Sequence, residues 1–279
     1  MMWAVFTAAM FEFLVIAALI VLAMACRTSQ SRLIAKVGLL ALFSATYLSA
    51  YWLTDSHVAG AASLLLWILL PWVEIVGRVR KLRFPIQSVV KHRFPPTRDD
   101  FPELPELTAE VESAGFEEKD NTGWKWDATD NFMRLFFHAE KKMQAAINLA
   151  QQEEFALSYV SLTSRTRDGS TYTTSNYPFS FTMKFAPQHK VNRYVGAVSF
   201  EDLLASHQDF LEKNKVTESS LRDLDLENLP TYVEGDMSHQ IAHNLSVGVL
   251  EATTDGMTRY TWRGCFFLWC QVVKDMILV

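Results

Sequence analysis

Apolar residues run almost unbroken to residue 77; beyond it they recur at periods of two and then near 3.6. The first pattern is that of bilayer spans, since a helix crosses the hydrocarbon core with roughly 20 apolar residues at about 1.5 Å each. Three stretches qualify. Trp3 to Cys26 is interrupted only by Glu12, Leu33 to Leu53 carries Lys36 near its start, and His57 to Val76 holds Pro71 and Glu74. Lipid offers no partner for backbone amides, so each stretch is predicted to be a helix. Ala41, Ala45 and Ser49 recur every four residues in the second, a spacing that lets helices approach closely, within one chain or between copies.

Five of the nine prolines fall between Pro85 and Pro105, predicting an extended, membrane-hugging linker over residues 78–105. A short helix follows near Leu107–Ala114. Met143, Ala145, Ile147 and Leu149 alternate with Gln144 and Asn148, which reads as a half-buried strand. Phe155 to Arg165 continues with Leu157, Tyr159 and Ser161 on one face and Val160 and Leu162 on the other. Asp168-Gly169 offers a hairpin turn leading into Thr171–Ser175, and Phe179–Lys184 alternates again. Strands this closely spaced predict an antiparallel meander.

Helical period returns at Ser199. This residue and Asp202 form a capping pair ahead of the stripe Phe200, Leu203, Leu204, His207, Phe210 and Leu211. Pro230 opens a second helix, with Val233, Met237, Ile241 and Leu245 on its apolar side. Asp255-Gly256 marks a hairpin, and the apolar run Cys265 to Val279, broken by Gln271, Lys274 and Asp275, reads as a helix whose six unbroken apolar residues, Cys265 to Cys270, are too few to span. That last helix is expected in the core of the soluble domain. The alternative places Phe266, Phe267, Leu268 and Trp269 against a membrane interface or a partner.

The fold class expected is a membrane protein: three N-terminal transmembrane α-helices (1–77), a basic Pro-rich linker (78–105), and a cytosolic α+β domain (106–279). That domain would have an antiparallel β-meander and two or three helices.

Charge sets orientation. Arg27 and Arg32 flank the first loop, while Arg78, Arg80, Lys81 and Arg83 follow the third span. The loop Thr54-Asp55-Ser56-His57 has no Lys or Arg. Basic loops stay inside. The expectation is therefore a multi-pass protein of the inner (plasma) membrane, with its N-terminus outside and residues from 78 onward cytoplasmic. A cleaved lipoprotein-type leader ending at Cys26 is disfavoured, because no basic n-region precedes it and Glu12 interrupts it. Residues 85–279 hold 19 basic against 28 acidic residues, a poor surface for phosphate backbones, so nucleic acid is not an expected partner. Membrane lipids, a protein partner or a second copy are. Three cysteines give no disulfide framework.

Chemistry is sparse. Glu12 is the charge nearest mid-membrane, where ionisable groups are costly and often functional; hydrogen bonding to Ser44, Thr46 or Ser49 is the quieter reading. His239 and His243 stand one helical turn apart, a spacing for two metal ligands, but Gln240 occupies the place of a zincin glutamate. No cofactor is called for, since no GxGxxG, GxxxxGK[ST] or GxSxG occurs. Ser164-Arg165-Thr166-Arg167-Asp168 reads as a solvated hairpin end, His207 as a packing histidine, and Cys265 and Cys270 as inert thiols. The residues kept as candidates are Glu12, His239, His243, Phe266 and Trp269. The expected function is a membrane-tethered interaction or scaffold module. A motif-less hydrolase and an oligomeric transport or sensory component using Glu12 are the alternatives.

Overall fold

The computed structural model describes residues 2–27, 32–87, 89–126, 129–152 and 155–278 and divides into two compact units. One comprises Met1–Val79 with Cys265–Val279, the other Arg80–Gly264.

The first unit holds α1 (Met2–Arg27), α2 (Arg32–Thr54) and α3 (His57–Gly77), with α1 against α2 and α2 against α3. The small residues of α2 serve this packing. Ala41 and Ala45 are buried, and a Cβ on Gly38 would sit 2.7 Å from Cys26 Cβ. Polar links add to it: Trp67 Nε1 donates to Thr46 Oγ1 at 3.1 Å, and Ser63 Oγ donates to the Thr46 carbonyl at 3.3 Å. Glu74 pairs with Arg78 one turn on, at 2.9 Å. Among the described residues two helices, Leu33–Thr54 and His57–Lys81, are long and apolar enough to cross a membrane, and a shorter apolar stretch, Met10–Cys26, lies in α1. The first loop, at 28–31, lies outside the described residues.

The second unit is α+β with a mixed sheet. A three-stranded sheet joins β1 (Phe84–Pro85) to the hairpin β9 (Leu250–Ala252) and β10 (Met257–Tyr260). A seven-stranded sheet runs in chain order through β2 (Lys91–His92), β3 (Glu117–Trp126), β4 (Thr129–His138), β5 (Met143–Gln152), β6 (Phe155–Arg165), β7 (Thr171–Ser175) and β8 (His189–Arg193). The linker expected at 78–105 is thus stitched into both sheets through β1 and β2.

Neighbours from β2 to β7 are antiparallel, the expected meander, but β7 and β8 are parallel. Parallel pairing needs a crossover, and residues 176–188 provide it. The alternating Phe179–Lys184 therefore forms no strand. β5 is not half-buried either: seven successive residues from Met143 are inside, because both faces of this central strand are covered.

Helix α4 (Leu104–Ser113) and α5 (Phe200–Lys213) cover one face, packing Val111, Phe200 and Leu203 on Phe136, Ala145, Ile147 and Leu162. The Ser199–Asp202 capping box opens α5 as expected. Helix α6 (Leu229–Ser246) covers part of the other face, setting Leu229 and Val233 on Met133, Leu135, Phe137 and Ala146. Helix α7 (Trp262–Leu278) was expected in the soluble core; from Cys265 onward it groups with the N-terminal helices.

Candidate functional site

The two sheet faces differ in chemistry, and the difference is written in the strand alternation. Toward α4 and α5 the strands present mainly apolar residues, with Arg134, Ser164 and Thr174 among them. Toward α6 they are apolar as far as β4, then largely polar, with Gln144 and Asn148 flanking Ala146 on β5, Ser161, Thr163 and Arg165 on β6, Thr173 and Ser175 on β7, and His189 beside Val191 on β8. Above this polar floor α6 leaves two adjoining cavities of about 440 and 230 Å³. Arg165, His189 and Asp236 line both.

The floor is hydrogen-bonded internally. Arg165 Nη1 donates to Gln144 Oε1 at 2.8 Å, and its Nη2 donates to Asp236 Oδ2 of α6 at 2.5 Å. The Arg165 side chain is 8% exposed and Gln144 is buried, so the pair sits out of bulk water. The Arg165 guanidinium also lies 5.6 Å from the Tyr232 ring centre and that of Arg222 5.5 Å from it, within cation–π range. Asn148 Nδ2 donates to Ser161 Oγ and to the Ala146 carbonyl, each at 3.1 Å. A hydroxyl chain follows, with Thr163 Oγ1 3.2 Å from Thr173 Oγ1, which is 3.1 Å from His189 Nε2.

The larger cavity has aromatic walls. The crossover must run back along the sheet, which brings its side chains over the floor. Tyr177 and Phe181 stack at 5.9 Å, and Phe181 meets Phe185 edge-on at 4.6 Å. Tyr159 faces Tyr177 at 5.0 Å, while Trp126, Met133 and Met237 complete the lining.

Burial governs the titrating groups. It pushes the Tyr159 phenol far above its ordinary range, with Tyr177 adding to the effect, and raises Tyr177 as well. It lowers His189, with Asp236 opposing and Arg165 reinforcing the shift. Near neutral pH the cavity therefore offers a neutral imidazole, two protonated phenols and one compensated guanidinium. Such a set can orient a ligand by hydrogen bonds and hold a polar or anionic head beside an aromatic body. Among the described residues no three His, Cys, Asp or Glu cluster in a way that could hold a metal ion.

On the opposite face His207 is fully buried, more than the packing residue expected. Its Nε2 lies 3.0 Å from Ser164 Oγ and its Nδ1 2.8 Å from Thr174 Oγ1, and burial lowers its pKa to about 4.

Of the candidates read from the sequence, His239 is exposed at the rim of the smaller cavity and His243 is half-buried one turn further along α6. Glu12 is exposed on α1, and Thr46, one of its expected partners, is bonded instead to Trp67. Phe266 is exposed and Trp269 half-buried on α7, outside the cavities. The structure brings only His239 to the site.

The residues that line these cavities carry little signal in the sequence. The segment 164–168 was expected to be a solvated turn, yet Ser164, Arg165 and Thr166 are buried and only Arg167 and Asp168 fit that description. One signal was present: Tyr159, Ser161, Thr163 and Arg165 put a polar series on one side of a strand whose other side carries Val160 and Leu162. Comparison with protein-family models, with curated proteins and with solved structures yields no match to this chain.

Proposed function

We propose that this is a multi-pass inner-membrane protein, crossing three times with its N-terminus outside, that presents its α+β unit to the cytoplasm as a small-molecule-binding module. The spans are supported by two helices of sufficient length and apolarity and by the basic residues on one side of the expected spans. Binding is carried by one observation: a buried guanidinium, paired with Asp236 and Gln144, stands where two cavities meet under an aromatic roof. Desolvated charge is costly unless paired and put to use, and concave, mostly apolar pockets with a few convergent polar groups are the usual form of ligand sites. The interaction role expected from the sequence thereby narrows to recognition of a compact ligand with an aromatic or aliphatic body and an anionic or hydrogen-bonding head.

Fluorine NMR on the full-length protein in detergent, with 4-fluorobenzoate and the neutral 4-fluorobenzamide as probes, tests this. Ser161→Phe fills the floor without touching the ion pair. The benzoate line broadens with the wild type and stays sharp with Ser161→Phe; equal broadening in both proteins, or none in either, removes the proposal.

The hydrolase alternative has one observation in its favour, the contact between Thr173 Oγ1 and the neutral imidazole of His189. Under that reading Thr173→Val loses ester turnover yet still broadens the benzoate line.

A further inference from the structure

We infer that α7 is embedded in the membrane from Cys265 onward, its outer face among the acyl chains. The inference rests on α3 being a span. Trp269 Nε1 donates to the main-chain carbonyl of Ile68 at 2.7 Å, and the Trp269 ring lies edge-on to Trp72 at 6.2 Å. Both partners are inside the apolar stretch of α3.

Depth follows from helix geometry. Ile68 precedes Arg78 by ten residues, about 15 Å at 1.5 Å per residue, which is about half of a 30 Å hydrocarbon core. Trp72 lies about 9 Å in by the same measure. A side chain bonded to the Ile68 backbone shares that depth to within its own reach. An indole N–H held in hydrocarbon needs an acceptor, and a helix carbonyl is what an apolar neighbour can offer.

The rest of α7 fits the same solvent. Cys265 and Leu268 are buried, whereas Phe266, Cys270 and Val272 are exposed to whatever surrounds the unit. With 17 residues α7 is about 25 Å long, short of the about 30 Å that a full crossing needs. Lys274, exposed near its end, has the stem to carry its ammonium toward the headgroups.

The native thiol at Cys270 is the probe. In liposomes, a nitroxide on Cys270 (with buried Cys26 and Cys265 replaced by Ala) is compared by EPR power saturation for collisions with oxygen and with a water-soluble nickel chelate. Lipid contact predicts that oxygen accessibility exceeds nickel accessibility. Dominant nickel collisions mean water, and low values for both mean cover by protein such as a second copy; either overturns the inference. A second label at Leu69→Cys, exposed on α3, separates the premises. If Leu69→Cys reports lipid and Cys270 does not, α7 alone is misplaced; if Leu69→Cys reports water, the span itself fails.

Discussion

Removing the carboxylate of Asp236 is the sharpest probe of the cavity floor. Asp236→Asn keeps the size of the side chain but leaves the Arg165 guanidinium, 8% exposed, with Gln144 as its neutral partner. Breaking a buried ion pair from one side costs about 3–5 kcal/mol, because the remaining charge is uncompensated. The Asp236 side chain is 29% exposed, so water enters to part of the site and the lower end, about 3 kcal/mol, is expected. For a unit the length of Arg80–Gly264, each kcal/mol moves Tm by about 2–4 °C, giving a fall of about 6–12 °C. Replacing the whole network, as Arg165→Met with Asp236→Leu and Gln144→Met, removes the stranded charge and recovers most of that loss, since a half-satisfied network is worse than an apolar one. Thermal unfolding of the detergent-solubilised protein, followed by tryptophan fluorescence, decides the matter. A single variant within about 2 °C of wild type, or a triple variant as unstable as the single, would refute the account.

Two further tests reach other parts of the unit. His207 has its pKa depressed from 6.5 to about 4 by burial, so between those values the unfolded chain binds a proton that the folded one refuses. Its contribution is complete above pH 6.5 and is lost as pH falls toward 4, by about 3 kcal/mol in all; His189 and His138, also lowered, act in the same direction. Denaturant unfolding at successive pH values measures the slope, and His207→Gln should flatten it. Gly123 of β3 lies so close to β4 that an added Cβ would stand 2.1 Å from the Asn131 carbonyl oxygen. Gly123→Ala must therefore part the two strands and lower stability by at least about 1–3 kcal/mol. Gly196→Ala, with open space around it, should be neutral to slightly stabilising in the same melt.

What the sequence disclosed depended on whether the signal was local. The Asp168-Gly169 turn, the Ser199–Asp202 cap and the Asp255-Gly256 hairpin each reside in a few neighbouring residues, and each is present. β3 and β4 escaped notice because Glu117–Asn121 is polar and Phe132–Phe137 is apolar on both faces, so neither shows clean alternation. Phe179–Lys184 alternated for a different reason. Its Phe181 meets Tyr177 and Phe185, four residues away on either side, and these rings line the cavity with no strand to place them. Arg165 was unreadable in principle, since its partners Gln144 and Asp236 stand 21 and 71 residues away. The C-terminal helix, expected in the soluble core, groups from Cys265 onward with the N-terminal helices, because an apolar run does not specify which apolar surface it meets.

The parallel seam between β7 and β8 couples two properties that a plain hairpin would leave independent. Because the last strand can reach its place only through the segment that roofs the cavity, completing the sheet and closing the pocket are one event. Under the proposed binding role, substitutions that loosen Tyr177 or Phe181 are expected to loosen β8 as well, the strand that carries His189.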